Sequence, residues 1–321
     1  MSTSHDDETR IAATVEVEGR DLTEQQRADV QRSIEAMAMH SVEVRDRARA
    51  AEAEATRLSD AINRPLRALV ERDTAAVAEF EDLLKVSSLN VDEDLLRYPD
   101  SVTGRIKDTI PQVTVSDVGL EGNLTRTADS DVFHGPPYHF AWAWHRADGS
   151  PPSQVQTDRP TGQVGMKGAA GPLAPGSGDK FVEVHAGFGL VFIPSANGLF
   201  IGESARRFLK IIYIVAAYGI GSSAVTEGGT ECTLLEGTQL KAIDTRRLWR
   251  KRVSFNERED FESNLFGDGP MRLQHPVRTG VACTFNIGMW LYVDNASGAG
   301  RSGAATALRG EIPIMRLIGP Q

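Results

Sequence analysis

The sequence contains few cysteines and no long hydrophobic run, and each absence excludes a class of protein. Cys232 and Cys283 lie about 50 residues apart without a C-x-x-C pair, so we expect two reduced, buried thiols and no disulfide framework. The longest apolar run starts at Ile211 and is shorter than the roughly 20 residues of a membrane-spanning helix. The polar, acidic N-terminus has no apolar segment typical of a secretory signal, so we expect a cytoplasmic protein.

The chain also lacks the short motifs that identify common catalytic sites. H-E-x-x-H, G-x-S-x-G and an EF-hand loop are all absent. The triplets GFG at 187–189 and GIG at 219–221 lack the strand-to-helix context of a dinucleotide-binding loop, and glycines inside strands more often mark bulges or close packing. We therefore expect a protein that is not an enzyme and that has no cofactor and no metal site.

The excess of negative over positive charge is confined to the first third of the chain. Residues 1–100 hold 23 acidic and 13 basic side chains, a balance of −10, whereas residues 101–321 hold 21 acidic and 22 basic, a balance of +1. The whole chain has a net charge of −9, which makes nucleic acid an unfavourable partner.

Residues 22–85 contain no glycine and show the periodicity of a helix. Thr23 and Gln26 have the spacing of a capping box, which predicts a helix start. Apolar residues then follow in alternating steps of four and three, which is a heptad-like stripe typical of a helix that packs against another helix. The larger members of this stripe are Val30, Ile34, Met37, Val44, Leu58 and Ile62.

The N-R-P sequence at 63–65 predicts an interruption, because proline removes a backbone donor and disfavours helical geometry before it. We therefore expect two helices, 22–62 and 66–86, either kinked in line or folded as a hairpin. Residues 22–98 are interpreted as a helical arm for oligomerisation, preceded by a disordered acidic tip at 1–21. A membrane-active amphipathic helix is the alternative, although such helices usually carry a basic polar face.

Short β-rich runs separated by glycine and proline begin after Pro99, which favours an antiparallel β-sandwich or jelly roll over residues 99–321. The segment 147–180 is dense in glycine, proline and serine and is predicted to be a long loop. The predicted strands are 112–118, 138–146, 181–193, 208–218, 231–235, 239–243, 248–255, 281–293 and 305–317.

The run YHFAWAWHR at 138–146 places aromatic and histidine side chains on opposite faces, since side chains alternate along a strand. One face carries Tyr138, Phe140, Trp142, Trp144 and Arg146, and the other carries His139, Ala141, Ala143 and His145. The two histidines are about 20 Å apart at 3.3 Å per residue, too far to share a metal ion. The pattern favours a sandwich core strand over a metal site or an exposed aromatic platform for sugars.

The most concentrated positive charge is the run DTRRLWRKR at 244–252. Arginines beside an exposed indole are suited to grip a phosphate, an acidic glycan or an anionic lipid. Two other interpretations remain open: an edge strand protected by charge, and a docking surface for the acidic arm of the same or a neighbouring subunit. The candidate binding residues are Arg246, Arg247, Trp249, Arg250, Lys251 and Arg252.

Several motifs of residues 130–321 resemble a recurrent bacterial β-sandwich domain family. These are PPYHFAWAWHRADG, DRPTGQVGM, FIPSANG and IGMWLYVDNASGAG, which match an aromatic Y-x-F-x-W-x-W strand, a glycine-rich connection and a late strand with a tryptophan. The resemblance implies a β-sandwich fold and no particular activity.

These observations together favour a self-assembling or binding protein, with a helical arm for homo-oligomerisation and a sandwich for structural or ligand contacts. Two alternatives stay open. The first is a membrane-targeting or pore-forming protein whose helices rearrange, and the second is a lectin-like protein that binds carbohydrate.

Overall fold

The computed structural model describes residues 14–18, 22–70, 72, 75, 131–148, 153–171, 180–219, 221–296 and 301–319. Within these ranges the chain forms one long helix, α1 (Glu24–Val70), and twelve strands. The strands are β1 (Thr14–Glu18), β2 (Asp131–His134), β3 (Phe140–Ala147), β4 (Ser153–Asp158), β5 (Gln163–Ala170), β6 (Lys180–Phe192), β7 (Gly198–Tyr218), β8 (Ser223–Glu236), β9 (Gln239–Ser254), β10 (Glu257–Val277), β11 (Cys283–Ala296) and β12 (Arg301–Ile318).

The strands form two antiparallel sheets, which confirms the predicted helix and β-sandwich. Sheet A has the order β1-β3-β6-β11-β8-β9, and sheet B has the order β10-β7-β12-β5-β4 with β2 paired to the end of β12. The core lies between the sheets and is filled by inward residues such as Phe188, Phe285, Leu291 and Val215. The apolar run after Ile211 is part of β7, where alternate residues face this core.

Strand β3 confirms the predicted alternation from Phe140 onward, but its aromatic face does not have the predicted destination. Tyr138, predicted on the face of the tryptophans, precedes β3 and packs in the core between the sheets. Ala141 and Ala143 face the core between the sheets, whereas Trp142 and Trp144 lie on the outer face of sheet A, beneath α1. Both faces of the strand are therefore buried. Periodicity identifies the two faces of a strand, but it does not show which layer covers each of them.

Glycines on neighbouring strands make room for these large rings. A Cβ atom on Gly288 of β11 would lie 2.6 Å from the ring of Trp142, and one on Gly189 of β6 would lie 2.1 Å from the ring of Phe140. This confirms the expectation that the GFG triplet marks close packing. The aromatic rings of β3 cover these glycines and form the floor on which α1 packs.

The helix begins where the sequence predicts. The Thr23 backbone N–H donates to Gln26 Oε1 over 2.9 Å and the Gln26 N–H donates to Thr23 Oγ1 over 3.2 Å, the two bonds of a capping box. The predicted interruption at Pro65 is wrong, because α1 continues to Val70. Proline removes one hydrogen bond and prefers a kink, but a long helix retains its other bonds on both sides.

Three further expectations are corrected. The supposed disordered tip contains β1, which pairs with β3, and the supposed loop at 147–180 contains the hairpin of β4 and β5. Strand β10 was not predicted, and the predicted strands 239–243 and 248–255 are one strand, β9. The predicted strand at 112–118 and the end of the predicted second helix lie outside the described residues.

Candidate functional site: a charged cluster beneath the helix

Helix α1 lies along the middle of sheet A and is fixed by contacts with residues distant in sequence. Ser33 Oγ donates to the Gly237 carbonyl oxygen over 2.7 Å, and Thr233 Oγ1 lies 3.3 Å from Met37 Sδ. Arg45 reaches Glu227 further along the same strand. The helix therefore runs antiparallel to β8.

The first part of this interface is apolar. Five helix residues pack against Phe140, Trp142 and Trp144, and all eight side chains are buried. Burial of this size is a strong driving force, since each large side chain contributes about 1.5–3 kcal/mol. The five helix residues are Val30, Ile34, Met37, Ala38 and Val42.

The second part of the interface is ionic. A helix whose only role was to cover an apolar surface would not need such ion pairs. It joins three residues of α1 to carboxylates, a histidine and an arginine on the outer face of sheet A. We call this group the charged cluster; it consists of Arg45, Asp46, Arg49, Arg146, Glu183, His185, Glu227, Glu231 and Asp294.

Glu183 of β6 is the centre of the charged cluster and contacts three positively charged groups. Its oxygens lie 2.7 Å from Arg146 Nε, 3.3 Å from Arg45 Nε and 3.4 Å from His185 Nε2. Burial alone would raise the pKa of Glu183, but the hydrogen bond and charge of His185 and the charges of the two arginines lower it to about 2. The carboxylate is therefore ionised at neutral pH.

His185 is held between two carboxylates and two indole rings. Its Nδ1 lies 2.6 Å from Glu231 Oε1 and its Nε2 faces Glu183, so each ring nitrogen of the protonated imidazole has a carboxylate to which it can donate. Its ring stacks on Trp144 with centroids 3.9 Å apart, and the Trp290 centroid lies 6.2 Å away. Burial alone would lower the pKa of His185, but Glu231 and Glu183 outweigh it and raise the pKa.

The two arginines of α1 insert between aromatic rings and carboxylates. The Arg45 guanidinium carbon lies 4.2 Å from the Tyr292 ring centroid, and Arg45 pairs with both Glu183 and Glu227. The Arg49 guanidinium carbon lies 3.9 Å from the Phe181 centroid, and its Nε lies 3.3 Å from Asp294 Oδ2. Both arginines therefore combine ion pairing with cation–π contact.

These protonation states predict a stability optimum on the acidic side of neutrality. The pKa of His185 is raised from 6.5, so its contribution is complete below pH 6.5 and is lost as the pH rises through the folded-state value. The pKa of Glu183 is lowered from 4.5 to about 2, so its contribution is present above pH 4.5 and is lost as the pH falls. We expect Glu183 and His185 together to stabilise the fold most between pH 4.5 and pH 6.5. Urea unfolding at a series of pH values measures this.

A His185→Gln variant is the control for this prediction. It should lose the part of the decline in unfolding free energy that begins above pH 6.5, because glutamine does not titrate. An unchanged alkaline decline in the variant would contradict the assignment to His185.

The basic run at 244–252 lies on β9, an edge strand of sheet A, and a β-bulge between Arg247 and Trp249 interrupts its simple alternation. Arg247 and Arg250 face the helix side, where each lies within 4 Å of Glu227, and Arg250 also pairs with Glu52 of α1. The Trp249 indole faces the other way, packs against the core and donates from Nε1 to Thr226 Oγ1 over 3.2 Å. The proposed pairing of arginines with an exposed indole therefore does not form.

The other basic residues of this run are also distributed. Lys251 pairs with Glu259 of β10, and Arg246 lies 3.4 Å from Asp244 on the same strand. Arg252 is exposed. A ligand role for these residues remains a prediction.

The predicted apolar stripe of α1 contacts the chain's own sheet through Val30, Ile34 and Met37. It does not continue, because Val44 is 52% exposed and Leu58 is 58% exposed. The side chain of Ile62 lies outside the described residues. A straight helix drifts about 20° per heptad from a 3.5-residue repeat, so Arg45 and Arg49 replace Val44 on the sheet side.

The sequence does contain a signal for the charged cluster, namely charged residues within apolar strands, which an analysis of periodicity alone does not detect. Glu183 and His185 occur in the strand FVEVHAGFG, and Glu227 and Glu231 occur in VTEGGTEC. Charged residues within such apolar runs are buried on folding, and buried charges need partners. The identity of those partners was not accessible, because they come from other strands and from α1.

Other parts of the structure bear on the remaining expectations. Cys232 and Cys283 are buried and form no disulfide bond, as predicted. Among the described residues, no group of three or more histidine, cysteine or acidic side chains has the arrangement of a metal site. Within the same residues, no helix is long and apolar enough to cross a membrane.

Comparisons with known proteins give only weak similarities. No family model and no curated protein matches the chain. Among solved structures, a xylan-binding domain from CBM 22 is 11% identical and covers 53% of this chain and 86% of its own, with a TM-score of 0.19. A CBM22-1 xylan-binding domain from Paenibacillus barcinonensis is 12% identical and covers 53% and 85%, with a TM-score of 0.17. At these scores the similarity to carbohydrate-binding modules carries no argument about the function of this chain.

Proposed function

We propose that the protein is a non-enzymatic binding protein whose sheet A receives an amphipathic, arginine-bearing helix, and that copies assemble by placing α1 of one on sheet A of the next. The observation that carries this proposal is the charged cluster within the helix–sheet interface. Buried ion pairs add little net stability compared with apolar contacts, but they penalise every register that leaves a charge unpaired. Such an interface is suited to recognise one helix in one position.

The connection between helix and sandwich supports exchange between copies. Residues 53–130 separate the part of α1 that contacts sheet A from β2. On its other side α1 is joined by residues 19–23 to β1, which pairs with β3 of sheet A, so an exchange of α1 would carry β1 to the neighbouring copy with it.

The length of α1 also supports a role in assembly. Its 47 residues span about 70 Å. Glu52 pairs with Arg250 of β9, and beyond it the described side chains of Glu54, Leu58 and Ala61 are exposed. A helix that extends past its docking site offers surface for a second chain.

The test combines light scattering with charge complementation between two variants. Arg250→Glu and Glu52→Arg each place like charges at the rim of the interface of their own chain. If α1 exchanges, a mixture of the two restores opposite charges at both contacts. We therefore expect the mixture of differently tagged full-length chains to form a heterodimer in greater yield than either variant forms homodimer.

The matched control replaces Glu52→Arg with Asp29→Arg, since Asp29 pairs with Arg32 on its own helix and not with β9. This mixture should show no preference for heterodimer. A wild-type chain that stays monomeric at high concentration, together with no heterodimer in the complementary mixture, would refute exchange.

Carbohydrate binding through tryptophan faces would depend on the same helix. Trp142, Trp144 and Trp290 are buried beneath α1, and Trp249 is half-buried against the core. A sugar would reach the three tryptophans beneath α1 only after the helix had left the sheet.

A further inference from the structure

The contacts of Arg45 define a binding site that belongs to sheet A and not to the helix. Glu183 of β6 and Glu227 of β8 both stand opposite Tyr292 of β11, one on each side of it. The three side chains share a face, so the two carboxylates flank the tyrosine ring across three adjacent strands. Trp290 lies two residues along β11 on the same face. We call these four residues the socket.

The backbone spacing of the socket is set by sheet hydrogen bonds. The register of β6, β11 and β8 sets the spacing of the two carboxylates at about two strand separations, close to 10 Å between backbones. The side chains converge on the space above Tyr292, which the Arg45 guanidinium fills. A preformed site loses little conformational entropy when it binds.

The chemistry of the socket matches a guanidinium group. A guanidinium is planar, so its face can stack on the Tyr292 ring while its edges donate to a carboxylate on either side. The centroid of Trp290 lies 5.5 Å from the same carbon and adds a second aromatic wall. An ammonium is a compact charge with no flat face, so it cannot stack and reach both carboxylates in this way.

We infer that sheet A carries a guanidinium-binding site, formed by Glu183, Glu227, Trp290 and Tyr292, of which Arg45 is the resident occupant. The ligand class is the arginine side chain or another guanidinium-bearing group. This inference goes beyond the proposed function, because the socket exists whether or not copies of the chain exchange helices.

The test empties the socket in the full-length chain and supplies the missing group in solution. An Arg45→Ala variant leaves the socket carboxylates without that arginine, and methylguanidinium is the probe. We expect a saturable rise in Tm of about 2–4 °C at roughly tenfold excess over a millimolar Kd. Methylammonium at the same concentration and ionic strength should give a clearly smaller rise.

Three controls make this result specific. The wild-type chain should show no rise, because Arg45 occupies its socket, and Arg32→Ala should show none, because Arg32 pairs on its own helix. The double variant Arg45→Ala with Glu227→Gln should lose the response. A rise of equal size with methylammonium or in the wild type, or no rise in Arg45→Ala, would overturn the inference.

A conservative variant keeps the inference testable if Arg45→Ala does not fold. Arg45→Lys retains the charge but lacks the planar group, so we expect it to lower Tm by more than Arg32→Lys does. An Arg45→Lys chain as stable as the wild type would show that the socket recognises charge alone. Chains that fail to exchange helices but respond to methylguanidinium would refute the proposed assembly and leave the socket standing.

Discussion

Replacing Glu183 with glutamine is expected to lower the free energy of unfolding by about 3–5 kcal/mol, the usual cost of removing one partner from a buried ionic group. Glu183 is buried and contacts Arg45, Arg146 and His185. Glutamine has nearly the same volume but no charge, so three cationic groups lose their shared counter-charge without a change in packing. Urea unfolding followed by circular dichroism at neutral pH measures the effect.

Glu43→Gln is the matched control for this variant. Glu43 is a half-exposed residue of α1, and its Oε2 lies 3.8 Å from Nη2 of Arg47, one turn further along the helix. Exposed pairs of this kind contribute about 0.3–0.5 kcal/mol, so the control should remain close to the wild type. A Glu183→Gln chain that is destabilised no more than Glu43→Gln would show that the charged cluster is not coupled as the geometry requires.

Replacing Trp142 with alanine is the second large expected effect, again about 3–5 kcal/mol. The Trp142 ring is buried between the apolar part of α1 and Gly288, and its Nε1 donates to the Phe188 carbonyl oxygen over 3.2 Å. Its removal leaves a cavity that the flat glycine surface below cannot fill. Because the ring supports α1 directly, hydrogen exchange in residues 24–52 should accelerate more than exchange in the core strands.

Val44→Ala is the control on the helix side, since Val44 is exposed on α1 and does not contact the sheet floor. We expect it to change the unfolding free energy by less than about 0.5 kcal/mol. If Trp142→Ala accelerated exchange equally in α1 and in the core strands, α1 and the sandwich would unfold as one unit. Local release of the helix would then be excluded.

The two large predictions address different parts of one interface. Trp142 tests the apolar part, which supplies most of the burial, whereas Glu183 tests the ionic part, which selects the register. Release of α1 in Trp142→Ala with the sandwich intact would leave sheet A open to a helix from another copy. The charge-complementation experiment would then separate exchange from simple undocking.

Much of the fold follows from local patterns in the sequence. The capping box at Thr23 sets the start of α1, and alternation in β3 separates the tryptophans from the alanines. The hairpin of β4 and β5 was not predicted, because its glycine and proline content is typical of loops. Strand β10 was missed because its charged residues and glycines hide the alternation.

The candidate site was less predictable than the fold. The sequence drew attention to the basic run on β9, but only Arg247 and Arg250 of that run reach the charged cluster. Glu183, His185 and Glu227 come from two strands that meet β11 on opposite sides. Their proximity depends on long-range strand register, which no local spacing encodes.

The sequence by itself determined the start of the helix, several of the longer strands and the two faces of β3, because these depend on propensity and on periods of a few residues. Only the tertiary structure decided which layer covers each face and which charges meet. In the tertiary structure α1 lies on sheet A, its apolar residues contact the tryptophans, and Arg45 lies between Glu183 and Glu227. Pairing between residues more than 100 positions apart depends on the packing of the whole chain, because burying a charge is costly unless an oppositely charged partner lies beside it.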